Sequence, residues 1–218
     1  PWSSPALPGA LRRADASASA EAAGTSALPP LRFIGHVAAT YLLTEGPDGL
    51  YVIDQHAAHE RVMYERLMAR AAGAAVASQA LLTPAIVRLA PAQLAFVEDH
   101  ADALARAGLA LALHGDDAVA VTRLPEVLAA DDPAAAVRAV LDGALDDRAL
   151  VEAGLEARLV RAVCKRATVK AGQVLTEPEA RALIVALEAC ATPHTCPHGR
   201  PTVVHWSHAR LALLFGRG

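Results

Sequence analysis

The amino-acid sequence predicts an α+β fold that combines several helices with small sheets. Short apolar runs typical of strands alternate with longer stretches whose apolar residues recur at helical spacing, and turn-forming Gly, Pro and Asp residues separate them. The chain has 218 residues, of which 54% are hydrophobic, enough for one domain or for two closely packed subdomains. Residues 1–30 are rich in Pro, Ser, Ala and Gly without periodicity, which indicates a disordered linker or tail.

The first ordered elements are predicted to be a hairpin and a helix. Residues 31–44 and 50–53 indicate two strands, and the turn signal at 46–49 joins them into a hairpin. From Asp54 to about Arg70 the apolar residues follow helical spacing. The apolar stripe of this helix consists of Val62, Met63, Leu67 and Met68.

The middle of the chain predicts a second group of strands and helices. Residues 79–90 favour an extended strand, and Pro91 in a first turn favours a helix from 91 to about 107. The turn Gly115-Asp116-Asp117 divides residues 109–121 into two short strands. Two further helices are predicted at residues 133–145 and 155–169.

The C-terminal part carries the clearest capping pattern. It predicts a helix at 177–189, with Thr176 as N-cap, Pro178 in the first turn and Glu179 three residues after the cap. The elements that follow are a Cys-Pro-His-Gly-Arg-Pro loop at 196–201, a strand at 202–205, and a final helix that Ser207 caps and that ends at Phe215.

Charge and cysteine content narrow the classes of function. The formal net charge is −3, which argues against a domain that binds nucleic acid through its overall field. Three cysteines are an odd number in a chain too long to be a disulfide-stapled miniprotein, so we expect a reducing, cytoplasmic compartment. No apolar run approaches the ~20 residues that span a bilayer, and the N-terminal residues do not predict a secretory signal.

A first group of candidate metal ligands lies at the start of the predicted helix at 54–70. His56 and Glu60 are four residues apart, so they share one face of a helix and can hold one ion. Asp54 stands at the strand-to-helix junction, where its side chain can point at the same space. The alternative interpretation is an exposed helix start whose acidic residue complements the helix dipole.

A second group of candidate ligands lies in the loop at 196–201. Cys196 and His198 place a thiolate and an imidazole two residues apart on a segment that proline stiffens. Cys164 is a third candidate, with a small buried core residue as the alternative interpretation. Cys190 has no ligand-type neighbour at helical spacing and is expected to be such a core residue.

The combined donor set is mixed in chemistry. Its thiolate end favours Zn²⁺, whereas the oxygen-rich end formed by Asp54 and Glu60 suits Mn²⁺ or Mg²⁺. Two ions about 4 Å apart would suit phosphodiester hydrolysis. The candidate ligands are Asp54, His56, Glu60, Cys164, Cys196 and His198.

Three motifs resemble those of one family. The sequence Asp54-Gln55-His56-Ala57, followed after two residues by Glu60 and after four more by Glu65, resembles the signature of MutL-family nucleases of DNA mismatch repair. The loop at 196–201 is similar to the second motif of that family. The segment Val163-Cys164-Lys165 resembles its short cysteine motif, with valine where alanine is usual. The similarity runs through roughly residues 31–217.

This resemblance implies a metal-dependent endonuclease that nicks one DNA strand and that forms a homodimer. Asp54, His56 and Glu60 would be its catalytic residues. A dimerisation subdomain would comprise residues 31–76 and 172–218, and a regulatory subdomain would comprise residues 77–171. The implied partners are double-stranded DNA, the mismatch-recognition protein MutS and an ATPase domain upstream of the linker, in a nucleoid-associated protein. The alternative function is a dimerisation scaffold whose zinc is structural or regulatory, which a closed four-ligand site would favour.

Helical geometry sets Glu65 apart from the rest of the first motif. It lies about 140° around the helix from Glu60 and about 180° from His56. We therefore expect Glu65 to form an ion pair or a helix-packing contact and not to bind metal.

Basic residues around Cys164 indicate a DNA-contacting stripe. Arg158, Arg161 and Lys165 recur at helical spacing, and Arg200 lies in the second motif. The stripe would contact the phosphate backbone without sequence preference, because no base-reading motif accompanies it. The alternative interpretation is a solvated helix face.

The segment Gln79-Ala80-Leu81-Leu82-Thr83-Pro84 resembles the short peptide by which bacterial proteins dock on the replication sliding clamp. Its candidate contact residues are Gln79, Leu81, Leu82 and Pro84. Docking would tether a net-negative nuclease to DNA and so raise its effective concentration there. The alternative interpretation is an ordinary strand followed by proline.

Overall fold

The computed structural model describes residues 27–73, 75–146, 154–168 and 175–217. The predicted tail at 1–30 therefore lies outside the described residues up to residue 26. Leu28 is already buried in a hydrophobic cluster, so packed structure includes residues before Leu31.

The described residues form seven strands and seven α-helices. The strands are β1 (Arg32–Val37), β2 (Tyr41–Gly46), β3 (Gly49–Asp54), β4 (Ser78–Arg88), β5 (Ala110–His114), β6 (Ala118–Pro125) and β7 (Val203–Ser207). The helices are α1 (Gln55–Gly73), α2 (Pro91–Asp99), α3 (Ala101–Arg106), α4 (Pro133–Asp146), α5 (Leu155–Thr168), α6 (Glu177–Glu188) and α7 (His208–Leu214). This composition confirms the α+β class. None of these helices has the length and apolarity that crossing a membrane requires.

The strands form two antiparallel sheets. The first has the order β1-β2-β3-β7, and the second has the order β4-β6-β5. The predicted hairpin around the turn at 46–49 is confirmed, because β2 pairs with β3. Strand β7 pairs with β3 over residues 203–207, slightly later in the chain than the predicted strand at 202–205.

Two predicted elements are interrupted. The strand predicted at 31–44 is in fact the hairpin β1–β2, whose turn holds Ala38 and Ala39 at φ values of 51° and 54°. Alanine carries no turn signal and enters this left-handed region at a cost, so sequence pattern did not indicate the turn. The helix predicted at 91–107 breaks at His100 into α2 and α3.

Capping contacts fix the starts of three helices. Asp54 precedes α1, and its Oδ1 accepts a hydrogen bond from the Ala57 N–H at 2.9 Å. The predicted capping box of α6 is confirmed, since Glu179 accepts from the Thr176 N–H at 2.7 Å. Ser207 caps α7 as predicted, by accepting from the Arg210 N–H.

Helix α1 takes part in both hydrophobic clusters of the described residues. Ala58 and Val62 pack with β1–β3 and α6, whereas Leu67 packs with residues of β4, β6, α4 and α5. Glu60 lies between Ala58 and Val62, in the part of the helix that packs with the first sheet. The helix therefore joins the two cores and carries Glu60 in its first half.

Candidate metal centre

Three predicted ligands come together in space. One ligand atom each from Glu60, Cys196 and His198 lies within 4.8 Å of the other two. Glu60 comes from α1, and the other two come from the loop between α6 and β7. Among the described residues this is the group of carboxylate, thiol and imidazole donors that could hold a metal ion.

A tight turn presents Cys196 and His198 together. The Cys196 N–H donates to the Arg200 carbonyl at 2.8 Å, and the Gly199 N–H donates to the Cys196 carbonyl at 2.9 Å. Gly199 has a φ of 81°, a conformation that glycine adopts without a Cβ clash. The short bridge between Thr195 and Pro201 closes the base of the turn. Both ligands are therefore carried by one closed backbone unit.

Glu60 is a buried carboxylate surrounded by cationic or protonatable groups. Its side chain is 2% exposed. His198 Nδ1 and an Arg200 Nη each lie 3.4 Å from Oε2, and His56 Nε2 lies 3.3 Å from Oε1. Burial acts to raise the pKa of Glu60, but the hydrogen bond and charge of His198, with the charges of His56 and Arg200, outweigh it and lower that pKa. Glu60 is therefore ionised at neutral pH.

Cys196 and His198 favour each other's charged forms. Contact with Cys196 first, and with Glu60 second, raises the pKa of His198 to about 9. Burial acts to raise the pKa of Cys196, but hydrogen bonds with His198 and Arg200 lower it overall. The group thus offers a carboxylate, a thiol poised to ionise and an imidazole that must lose a proton before it can bind metal.

The remaining predicted ligands are not members of this closest set. His56 contacts it through Glu60 and is exposed to solvent by 41%. Asp54 uses one oxygen to cap α1. Cys164 is buried in α5, where burial first and the Glu60 carboxylate second raise its pKa to about 12. Cys190 packs in the core as expected, and its thiol contacts the Ala186 carbonyl at 3.4 Å.

Glu65 is a packing partner, as its position on the helix predicted. Its carboxylate accepts hydrogen bonds from the Ala191 and Thr192 N–H groups at 2.7 and 3.1 Å. Arg61 lies 3.6 Å from Glu65 and donates to the Thr195 carbonyl at 2.6 Å. The sequence did not lead us to predict a role for Arg61, although its position four residues before Glu65 indicates an ion pair on one helix face.

The predicted basic stripe is only partly exposed. Arg161 is 5% exposed and belongs to the interior. Arg158 is half-buried, and its guanidinium donates to the Ala144 carbonyl at the end of α4. Lys165 and Arg200 are exposed. The burial of Arg161 removes it from a DNA-contacting surface.

The segment proposed to bind a sliding clamp lies on the edge strand β4. Pairing of β4 with β6 is regular up to Ala80 and resumes at Ala85, so the four residues between them leave the ladder. Leu82 lies in this irregular stretch and is fully exposed, at 106% of its reference surface. Gln79 and Pro84 are exposed as well, and Leu81 is half-buried against the core.

The first sheet has an apolar outer face. Tyr51 and Ile53 point inward, so their neighbours Leu50 and Val52 point outward with their partners across the sheet. Those partners are Trp206, opposite Leu50, and Val204 and Leu43, opposite Val52. Trp206 and Val204 are each 42% exposed. Three residues at the end of α7 are also apolar and exposed: Leu213, Leu214 and Phe215.

Comparisons with known proteins point to one family. The family described as the MutL C-terminal dimerisation domain matches residues 34–175. The DNA mismatch repair protein MutL of Methanoculleus marisnigri is 41% identical over 196 residues, covering 89% of this chain and 33% of that protein. The protein of the same name from Lactiplantibacillus plantarum is 33% identical over 218 residues, covering 100% of this chain and 32% of that protein. The chain therefore spans about a third of the length of these curated relatives.

Proposed function

The chain belongs to the MutL C-terminal dimerisation domain family, and on this premise we propose that it is a metal-dependent endonuclease domain that nicks one DNA strand in mismatch repair. The observation that carries the proposal is the convergence of Glu60, Cys196 and His198 within 4.8 Å. Cys196 and His198 lie in a loop more than a hundred positions after Glu60, so their proximity to Glu60 comes from the tertiary fold and not from spacing on one helix.

The chemistry of the donors fits a divalent transition ion. Glu60, Cys196 and His198 would hold it, with His56, Asp54 and Cys164 as the surrounding candidates. Carboxylate, thiolate and imidazole together suit Zn²⁺, and the oxygen donors Asp54 and Glu60 suit Mn²⁺ or Mg²⁺. A divalent ion bound there would supply the Lewis acid that phosphodiester hydrolysis requires.

The protein's own residues would orient the DNA backbone at this site. Arg200 is 62% exposed and reaches the Glu60 carboxylate, so its guanidinium can contact a phosphate without leaving the site. Lys165 follows Cys164 directly and is exposed. These two cations, and not the buried Arg161, are the proposed phosphate contacts. The net charge of −3 makes DNA binding through such contacts weak. Contacts with phosphates carry no preference for base sequence.

Tethering by a replication sliding clamp would compensate for weak DNA binding. The exposed Leu82 and Pro84 lie in the stretch that leaves the regular strand pairing, and the exposed Gln79 lies just before it, so a partner could reach all three side chains. In the longer protein we infer that the mismatch-recognition protein MutS and an upstream ATPase domain control this step.

Homodimerisation would use the outer face of the first sheet. Leu43, Val52 and Val204 form one apolar row across three strands, and Leu50 and Trp206 form a second. An exposed apolar face of this kind marks an interaction surface in a water-soluble domain. A second copy of the same chain would cover it, as the family description indicates.

A scaffold with structural zinc is the second candidate function. The position of Cys164 favours it, because this buried thiol is close enough to Glu60 for the carboxylate to raise its pKa. With Cys164 as a fourth ligand, the site would be closed and would leave no position for water.

A nicking assay separates the two functions. Supercoiled plasmid is incubated with Mn²⁺ and wild type, Glu60→Gln or Glu98→Gln, where Glu98 is an exposed residue of α2 that serves as the matched control. We expect nicked circles with wild type and the control and none with Glu60→Gln. Equal nicking by all three proteins, or none by wild type beside a positive control nuclease, would contradict the endonuclease proposal.

A further inference from the structure

Helix α1 contacts the ligand-bearing loop on two sides. One side presents Glu60 to Cys196 and His198. The other side presents Arg61 and Glu65, which hold the backbone that leads into Cys196. Arg61 Nε donates to the Thr195 carbonyl at 2.6 Å, one residue before the cysteine.

Glu65 holds the backbone at the start of the same loop. Its two oxygens accept from the Ala191 N–H at 2.7 Å and from the Thr192 N–H at 3.1 Å, and the Thr192 hydroxyl lies 3.3 Å away. These N–H groups follow the end of α6. Glu65 therefore anchors the loop where it leaves that helix, and Arg61 anchors it where it reaches the metal ligands.

Helix geometry makes these two anchors a unit. Residues four apart lie on the same face, and Arg61 and Glu65 are 3.6 Å apart. Glu60 lies about 100° from Arg61 and about 140° from Glu65 around the axis. A single rigid helix thus fixes the carboxylate ligand and the path of the loop at once.

The surroundings strengthen the contact of Arg61. Its side chain is 10% exposed and its guanidinium lies 5.6 Å from the centre of the Tyr64 ring. A charged donor in such a place forms a stronger hydrogen bond than a neutral one in water. Thr202 closes the far end of the loop through the Pro193 and His194 carbonyls, so the helix contacts act on a loop already closed on itself.

We propose that Arg61 and Glu65 are positioning residues that set the spacing between Glu60 and the Cys196–His198 pair, and through it the affinity for metal. This inference rests on the proposed metal-binding function of that group. By this inference Glu65, the last glutamate of the first motif, supports the loop and does not itself bind the metal.

The experiment measures Zn²⁺ affinity by competition with a chromophoric chelator, on metal-free protein whose helical circular dichroism matches that of wild type. Glu65→Gln and Arg61→Lys should each weaken binding about tenfold while the number of ions bound stays the same, since losing a residue that orients a ligand costs about 10–100-fold. Lysine keeps the charge of Arg61 but lacks the planar Nε donor. Glu98→Gln and Arg70→Lys, at exposed positions, should bind as wild type does.

Two further variants distinguish the ways in which the inference could fail. Thr176→Ala removes the cap of α6 and lowers stability without changing the loop contacts, so it should leave Zn²⁺ affinity unchanged. If it loses as much Zn²⁺ affinity as Glu65→Gln and Arg61→Lys, any destabilisation has this effect and the inference is overturned. Glu60→Gln should lose the ion. If it does so while Glu65→Gln and Arg61→Lys keep wild-type affinity, the positioning role is wrong and the metal site stands. If Glu65→Gln loses as much as Glu60→Gln, Glu65 is itself a ligand. If Glu60→Gln binds as wild type does, the proposed function is wrong.

Discussion

Asp54 combines a structural role with a proposed catalytic one, and substitution can separate them. Its Oδ1 accepts from the Ala57 N–H at 2.9 Å and so caps α1. Asparagine has a carbonyl oxygen at the same place and is as good an N-cap as aspartate. Asp54→Asn should therefore keep the cap and remove the negative charge, whereas Asp54→Ala removes both.

The expected change in stability follows from these contacts. Loss of the cap in Asp54→Ala costs about 1 kcal/mol, and loss of an acidic charge at a helix N-terminus costs about 0.3–1 kcal/mol in either variant. At about 2–4 °C per kcal/mol for a chain of this size, Asp54→Asn should melt about 1–4 °C lower than wild type. Asp54→Ala should melt about 3–8 °C lower.

The expected change in activity is much larger and is the same for both variants. If Asp54 acts at the metal centre, each should lose about 100-fold or more of the plasmid-nicking rate, as removal of a catalytic acid or base does. Melting by differential scanning fluorimetry and nicking with Mn²⁺ are measured on the same preparations. Wild-type nicking by Asp54→Asn would show that Asp54 is a cap alone. Equal melting temperatures for the two variants would refute the capping argument.

Three further predictions concern pH, the clamp segment and the dimer. The pKa of His198 is raised to about 9, so this residue is protonated at neutral pH and metal binding must release that proton. Zn²⁺ affinity should therefore rise about tenfold per pH unit from 7 towards 9. Titrations in chelator-buffered Zn²⁺ in which the affinity does not change with pH would contradict this. Leu82→Ala truncates a fully exposed side chain, so it should abolish stimulation of nicking by a sliding clamp and leave the melting temperature within about 1 °C. Trp206→Glu should convert the proposed dimer to a monomer in light scattering, whereas Leu113→Glu, at an exposed apolar position of the second sheet, should not.

Local sequence patterns predicted the elements whose determinants are local. The capping box of Thr176 and Glu179 acts over three residues, and the sequence alone predicted it correctly. The turn at Ala38 and Ala39 has no such determinant. The pairing of β1 with β2 holds it in place, and that pairing depends on cross-strand contacts that no single segment reveals. The break at His100 was not predicted either, because no glycine or proline marks it in the sequence.

The candidate site shows a similar division. Residue type and spacing placed Glu60, Cys196 and His198 among six candidate ligands, and these are the three that lie close together in space. They were not sufficient for Arg161, which helical spacing placed on a basic stripe and packing placed inside the protein. Spacing assigns a residue to one face of a helix, but it does not say whether that face meets solvent or a neighbouring helix.

The orientation of α1 links the candidate site to both hydrophobic cores. Ala58 and Val62 pack into one core and Leu67 packs into the other, so the orientation of the helix depends on both. Glu60 inherits that orientation, and so do Arg61 and Glu65. A substitution in either core that rotates α1 by a few degrees would move Glu60 together with Arg61 and Glu65. The loop would follow its anchors, so the distance between Glu60 and the Cys196–His198 pair would be preserved. A substitution of Arg61 or Glu65 alters the spacing while the cores stay intact. Metal affinity should therefore be more sensitive to these two residues than to the cores that support them.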